Sequence, residues 1–300
     1  MTRKIALICN IQAGSKDKKR LELDFAVSYL KQYHIESLPI HTLDLIALKQ
    51  SVYDCLRQGI FSFIVLGGDG SLHHLVNVLM KQELVPLHEL RVGLLPCGTG
   101  NDWLRTYYDK NVTESVLKSV VENRTKKQDI GKIVKNQSEI IYFVNIAGVG
   151  FNGFLMQYID KFKKLGDWAY YVAIFYTFWH YKPVNVSIEN HFKKSSVVAF
   201  MISIGICKYA GGNMKLCPEA ISDDGLFEIN VIENVSFWDL IKNILFLKDG
   251  SYIQKMNIKT QRCTSLYIDS PEILYLEADG ESYGYGNFSF ESLSETINFY

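Results

Sequence analysis

Over roughly the first 128 residues, short apolar runs alternate with stretches in which apolar residues recur at helical spacing. Lys4–Cys9 predicts a strand, and Leu21–Tyr33 a helix with Leu23, Val27 and Leu30 on one face. Leu38–Thr42 predicts a second strand, followed by a helix over Ile46–Gln58. Phe61–Leu66 predicts a buried strand, Ser71–Met80 a helix and Val92–Leu95 a further strand. This alternation argues for a parallel sheet covered by helices on both faces. In such sheets ligands bind at the loops that follow the carboxyl ends of the strands.

The pattern changes at the polar stretch Arg124–Gln128. Beyond it strands dominate, predicted at Lys132–Val134, Ile140–Asn145, Val184–Ile188, Val197–Ile206, Leu226–Ile232, Gln254–Lys259, Ser265–Ile268 and Ile273–Glu277. Helical patterns interrupt them at Phe154–Lys164, Trp168–Trp179 and Phe237–Leu247. The reading is an α/β domain over residues 1–128 and an all-β sandwich domain over residues 129–300.

Composition narrows the function classes. The 48% hydrophobic content supplies ample core, and Lys+Arg and Asp+Glu balance at 32 each. A neutral chain lacks the basic footprint of a general nucleic-acid binder. The six cysteines are scattered with no C-x-x-C pair, which speaks against zinc and disulfide frameworks and for a reducing, cytoplasmic setting. The apolar run Ile5–Cys9 stops too soon for a signal peptide, and Trp168–Trp179 is shorter than the ~20 residues that span a bilayer.

Four glycine-bearing loops carry candidate chemistry. Leu66-Gly67-Gly68-Asp69-Gly70-Ser71 follows an apolar strand and precedes a helix. Its glycines let the backbone approach an anion, the helix offers unpaired N–H groups, and Asp69 could hold Mg²⁺ or a ribose. The loop reads equally as an ordinary glycine-rich turn, and it is neither a Walker P-loop nor a G-x-G-x-x-G fingerprint. Leu95-Pro96-Cys97-Gly98-Thr99-Gly100-Asn101-Asp102 also follows a strand; alone it reads best as a capped helix start. Two such loops at successive strand ends would face one crevice, and together they suggest a nucleotide-phosphate site. The stretch from Tyr209 through Asp224-Gly225-Leu226 and the segment Glu277-Ala278-Asp279-Gly280-Glu281 both read, taken alone, as turns.

Taken in order, these blocks resemble the diacylglycerol kinase catalytic-domain family, which includes bacterial lipid kinases and the sphingosine and ceramide kinases. The family's G-G-D-G-T appears as Gly67–Ser71 and its L-P-x-G-T-x-N-D as Leu95–Asp102. Its G-x-G-F-D appears as Gly148–Asn152, its glycine-to-Asp-Gly stretch as Gly211–Gly225, and its D-G-E as Asp279–Glu281. The resemblance implies a nucleotide-binding domain, a β-sandwich and an active site in the cleft between them. It implies that Gly67, Gly68, Asp69, Gly70, Ser71 and Thr99 contact ATP, with Thr42, Asn101, Asp102 and Glu281 as further nucleotide-side candidates. Asp69 and Asp102 would help hold catalytic Mg²⁺, and Asp279 would be the general base for a lipid hydroxyl. A structural Mg²⁺ is implied at Asp224 with the carbonyls of Ile221 and Leu226.

The chain departs from the family at three places. The opening N-P-x-x-G is Asn10-Ile11-Gln12-Ala13-Gly14, an expected Asn-Glu is His73-His74, and the Asp of G-F-D is Asn152. An NAD-kinase-like activity and a catalytically weakened nucleotide- or lipid-binding protein are the competing readings. The expected partner is a lipid substrate met at a membrane surface by peripheral contact, with no nucleic acid; a homodimer is compatible with the sequence. The aromatic segment Trp168–Trp179, with lysines before it, reads first as packing and second as an interfacial contact.

Overall fold

The computed structural model describes residues 3–10, 16–98, 100–162, 169–190, 193–243, 246–256 and 258–300. The chain divides into two compact units. Unit 1 comprises residues 1–130 and 294–300, and unit 2 residues 131–293.

Unit 1 runs β1 (Lys4–Asn10), α1 (Lys16–Gln32), β2 (Glu36–Thr42), α2 (Leu45–Arg57), β3 (Ser62–Gly67), α3 (Asp69–Met80), β4 (Arg91–Pro96), α4 (Asp102–Arg105) and α5 (Val112–Val121). The strands pair in parallel in the order β2-β1-β3-β4. β1 and β3 read as continuous apolar runs because helices bury both faces of a parallel sheet; Ile5, Ala6, Leu7, Phe63, Ile64 and Leu66 are fully buried. The expected alternation is therefore present, with α5 as a helix beyond those expected. Its apolar positions Val116, Leu117 and Val120 pack inward from a segment in which Val112 is followed by the polar run Thr113-Glu114-Ser115.

The boundary falls inside β5 (Lys126–Lys135), and the last residues return to unit 1. The end of β18 (Phe288–Phe299) adds a parallel edge to β4, Asn298 opposite Arg91 and Phe299 opposite Val92. The return is locked by the Tyr300 N–H donating to the Val92 carbonyl at 2.8 Å and by a Ser62 Oγ–Tyr300 Oη hydrogen bond of 3.0 Å.

Unit 2 continues with β6 (Glu139–Phe143), β7 (Ile146–Gly150), α6 (Phe151–Met156), α7 (Ile159–Phe162), α8 (Ala169–His180), β8 (Val184–Glu189), β9 (Lys194–Ala199), β10 (Met201–Gly205), β11 (Tyr209–Ala210), β12 (Met214–Lys215) and β13 (Phe227–Ile232). It then runs α9 (Phe237–Asn243), α10 (Tyr252–Lys255), β14 (Lys259–Cys263), β15 (Ser265–Asp269), β16 (Tyr275–Ala278), β17 (Glu281–Tyr285) and the first half of β18. One antiparallel sheet has the order β14-β13-β10-β7-β16-β17. A second pairs β18 with β15, β15 with β8 and β8 with β9, and β5 forms a hairpin with β6.

Two strand expectations are corrected in this unit. Val197–Ile206 is not one strand but β9 and β10, broken at Phe200. The Phe200 N–H donates to the Ile232 carbonyl and its own carbonyl accepts from Phe151 N–H, turning the chain from one sheet to the other. Gln254–Lys259 begins as α10, not as a strand, because Tyr252 is buried and its hydroxyl donates to the Leu216 carbonyl at 2.7 Å. The predicted helix Phe154–Lys164 is divided into α6 and α7, and its last two positions lie outside the described residues.

Candidate functional site

In unit 1 the two glycine loops meet back to back. The Gly67 carbonyl ends β3 and accepts N–H bonds from Cys97 at 2.8 Å and Gly98 at 2.9 Å, which ties the β4 loop to the β3 loop. A Cβ on Gly98 would lie 2.6 Å from the Gly68 Cα, a separation no side chain tolerates. Glycine at 98 is thus required by the close approach of two backbones, and a Cβ on Gly68 would meet the Gly98 Cα at 3.2 Å.

Asp69 opens α3 and reaches across to the second loop. Its Oδ2 accepts the Asp102 N–H and its Oδ1 the Trp103 N–H, both at 3.0 Å, so one carboxylate caps α4 from another element. The loop before α4 is held by Asn101, whose backbone is left-handed (φ 53°) and whose Nδ2 donates to the Gly98 carbonyl at 2.9 Å. A Cβ on Gly100 would stand 3.2 Å from Asp69 Oδ2 and 3.5 Å from Asp102 Oδ2. Two carboxylates therefore border a space kept open by a glycine, an all-oxygen setting suited to Mg²⁺. Asp102 is buried and its other oxygen lies 3.4 Å from Arg105 Nε.

Beside these loops lies a cavity of about 230 Å³ at the carboxyl ends of β1, β2 and β3. Asn10, Thr42, Asp44, Ser71 and His74 supply its polar lining. Thr42 and Ser71, predicted from separate segments, thus share one cavity, and His74 occupies a wall of it while His73 is buried. Asp44 went unnoticed in the sequence; it is also the cap of α2, accepting the Ala47 N–H at 2.8 Å. Lys19 was missed too: it is buried and donates to the Asn10 carbonyl at 2.5 Å. In sequence it is one lysine within a charged run, with no mark to separate it from its solvated neighbours. Thr99 lies outside the described residues. A larger cavity of about 420 Å³, between α1 and the start of α5, includes none of the predicted site residues.

In unit 2 Asp279 and Gly280 form the two-residue turn joining β16 to β17, both with left-handed backbone (φ 51° and 85°). The Asp279 side chain folds back onto a distant segment. Its Oδ2 accepts the Val144 N–H and its Oδ1 the Asn145 N–H, each at 2.9 Å, and its own N–H donates to the Ile146 carbonyl at 3.0 Å. Glu281 begins β17. Glu277 accepts the Gly280 N–H at 3.0 Å through Oε2. Burial pushes its carboxyl up to about 8, with the negative charges of Asp279 and Glu281 adding to the effect against the Gly280 N–H. A Cβ on Gly148 would lie 2.6 Å from both Glu277 Oε1 and Asn152 Nδ2. Asparagine at 152 thus sets a neutral amide beside a carboxyl whose burial favours its protonated form.

At the Asp-Gly turn before β13 the Asp224 carboxylate is engaged by protein groups. Asp224 Oδ1 accepts the Leu226 N–H at 3.1 Å and Oδ2 pairs with the Arg262 guanidinium of β14. Ile221 is exposed, and Asp224 fits a divalent ion at this turn only if Arg262 gives way.

A family model described as "Diacylglycerol kinase catalytic domain" matches residues 4–133, and one described as "YegS C-terminal NAD kinase beta sandwich-like domain" matches residues 145–299. A "Probable lipid kinase YegS-like" from Shewanella frigidimarina is 30% identical over 274 residues, covering 86% of this chain and 84% of the relative. A "Diacylglycerol kinase" from Staphylococcus aureus is 26% identical over 306 residues, covering 99% and 92%. The crystal structure of a diacylglycerol kinase from Bacillus anthracis superposes with a TM-score of 0.72 at 22% identity, covering 99% of this chain and 96% of that one, and so shares the fold.

Proposed function

The chain belongs to the diacylglycerol kinase family, with the YegS-type C-terminal domain, and from that premise we propose that it transfers the γ-phosphate of ATP to the hydroxyl of diacylglycerol or a related lipid alcohol. The observation that carries the reading is the pair of interlocked glycine loops in unit 1, with Asp69 and Asp102 around the gap at Gly100 and a polar cavity alongside.

Each residue has a role that follows from its setting. The backbone around Gly67, Gly68, Gly70 and Gly98, with Ser71, cradles the phosphates, and Asn10, Thr42 and His74 line the space for the rest of the nucleotide. Asp69 and Asp102 would hold Mg²⁺, directly or through water; when bound it neutralises charge on the transferring phosphoryl group. Asp279 takes the proton of the lipid hydroxyl as that oxygen bonds to the γ-phosphorus and ADP departs. Its two backbone N–H bonds fix the carboxylate. Glu281 follows the same turn at the start of β17, and its proposed role is on the nucleotide. The lipid is met at a membrane surface by peripheral contact; among the described residues no helix is long and apolar enough to cross a membrane.

The test is to incubate purified protein with γ-labelled ATP, Mg²⁺ and a panel of lipid alcohols, with NAD as a further acceptor. Label in an organic-extractable product is the expected result. Label in NADP, or ATP binding with no transfer to any acceptor, overturns it.

A further inference from the structure

α8 is apolar all the way round. It carries no Asp, Glu, Lys or Arg, and its inward positions Ala173, Ile174 and Thr177 are buried. Its outward positions Val172, Tyr176 and Trp179 recur at the spacing of one helical face and are 36%, 38% and 68% exposed. A helix apolar on every side is ordinarily enclosed, so the open stripe calls for something to cover it.

α9 extends the same surface. Phe237 sets its ring 5.2 Å from Trp179 and 6.0 Å from both Phe175 and Phe178, which docks α9 on α8. The adjacent Trp238 turns outward and is 66% exposed. Two solvent-facing tryptophans thus flank one aromatic hinge. Behind them Ile174 of α8 and Asn243 of α9 line an apolar cavity of about 80 Å³.

The charge around this stripe has one sign in excess. Lys161 Nζ lies 4.5 Å over the Tyr158 ring, which packs 5.7 Å from Tyr176. Exposed Lys182 follows Trp179 by three positions, and exposed Lys242 lies one turn beyond Trp238 on α9. The acid on α9, Asp239, has its carboxylate engaged by the Ser236 N–H at 3.1 Å and hydroxyl at 2.6 Å. Apolar and amphipathic rings fringed by lysine match the interface of an anionic bilayer, where tryptophan and tyrosine bury their rings and lysines meet the headgroups.

We propose that the α8–α9 face of unit 2, with Trp179 and Trp238 as its tips, docks on the interfacial layer of an anionic lipid membrane. The proposal rests on the lipid-kinase reading for its choice of occupant, but it is tested without turnover. Full-length protein is sedimented with vesicles of phosphatidylcholine and phosphatidylglycerol, and with phosphatidylcholine alone. Wild type should sediment with the mixed vesicles and much less with the neutral ones. Trp179→Ala with Trp238→Ala should lower the partition by about tenfold or more, since tryptophan burial drives interfacial binding. Lys182→Gln with Lys242→Gln should weaken binding to the mixed vesicles alone. Both tryptophans are exposed, so near-native melting of their variant is expected and checks its fold. A short-chain, water-soluble diacylglycerol, assayed in parallel, should be phosphorylated equally by wild type and tryptophan variant. No phosphorylation by either, with the vesicle results as expected, would count against the kinase reading and leave the docking face standing. Vesicle binding unchanged in the tryptophan variant overturns the docking face. So does a wild type that stays in the supernatant, or one that forms a dimer dissolved by the tryptophan substitutions.

Discussion

Asp69 and Asp279 are both held by pairs of backbone N–H groups, yet the two holds are built differently. Asp69 stands at the carboxyl end of a parallel strand and caps the short helix that follows the next strand in the same sheet. Asp279 sits in a hairpin turn and is fixed by Val144 and Asn145, 135 and 134 residues away along the chain. The first arrangement is what a strand–loop–helix unit offers at every strand end, and it suits an anion that needs N–H groups and a metal. The second is particular to one antiparallel sheet. It fixes a single carboxylate, the placement that the proposed role as proton acceptor calls for.

That contrast is open to attack, most strongly through Asp279. Asp279→Asn should keep the fold and lower lipid phosphorylation by about 10²–10⁴-fold, the range for loss of a general base. Steady-state turnover at saturating ATP reads this, and an unchanged rate removes Asp279 from the mechanism. Gly98→Ala strikes the other unit. Its methyl would collide with Gly68, and displacing positioning groups by an ångström costs about a hundredfold, here expected in ATP affinity. Isothermal titration checks it; affinity within twofold of wild type would mean that the loops do not cradle the nucleotide.

A third prediction concerns pH. Glu277 titrates at about 8 in the fold against 4.5 for the ordinary carboxyl, so between those values the folded protein binds more protons than the unfolded chain. Stability from this group is fully present below about 4.5 and is lost as pH rises through about 8. Glu277→Gln keeps the hydrogen bond to Gly280 without the titration. Relative to wild type it should therefore gain on the order of 1–3 kcal/mol between pH 5 and pH 9. Thermal melts at the two pH values report this, and parallel pH profiles would contradict it. The smallest effect is expected at Arg262→Gln, about 1 kcal/mol or less for a partly exposed pair. Its melting temperature should rise with added Mg²⁺ more than that of wild type, because Asp224 is then released to bind the ion; equal Mg²⁺ responses would mean that Arg262 does not occupy the cation's place.

The same contrast explains what the sequence made legible. β1 and β3 were readable because strands buried on both faces are written as unbroken apolar runs, and their glycine loops follow within a few residues. The meeting of Thr42 and Ser71 in one cavity follows from strand order, which alternation suggests. Unit 2 offered less. Val197–Ile206 looks continuous because nothing in the pattern marks Phe200 as the point where the chain changes sheets. Gln254, Met256 and Ile258 alternate like a strand, but burial of Tyr252 decides for a helix. The pinning of Asp279 on Val144 and Asn145 is a contact between remote segments, and no local spacing encodes it. Arg262 beside Asp224 is of the same kind, a pairing made by the β13–β14 register.

The most direct test is ATP affinity in the Asp279→Asn variant, measured by equilibrium dialysis on the same preparation used for turnover. The division of labour set out above predicts a dissociation constant within about twofold of wild type while phosphate transfer collapses. Affinity and transfer falling together would contradict it, because a carboxylate that serves only as base for the lipid hydroxyl has no part in holding the nucleotide.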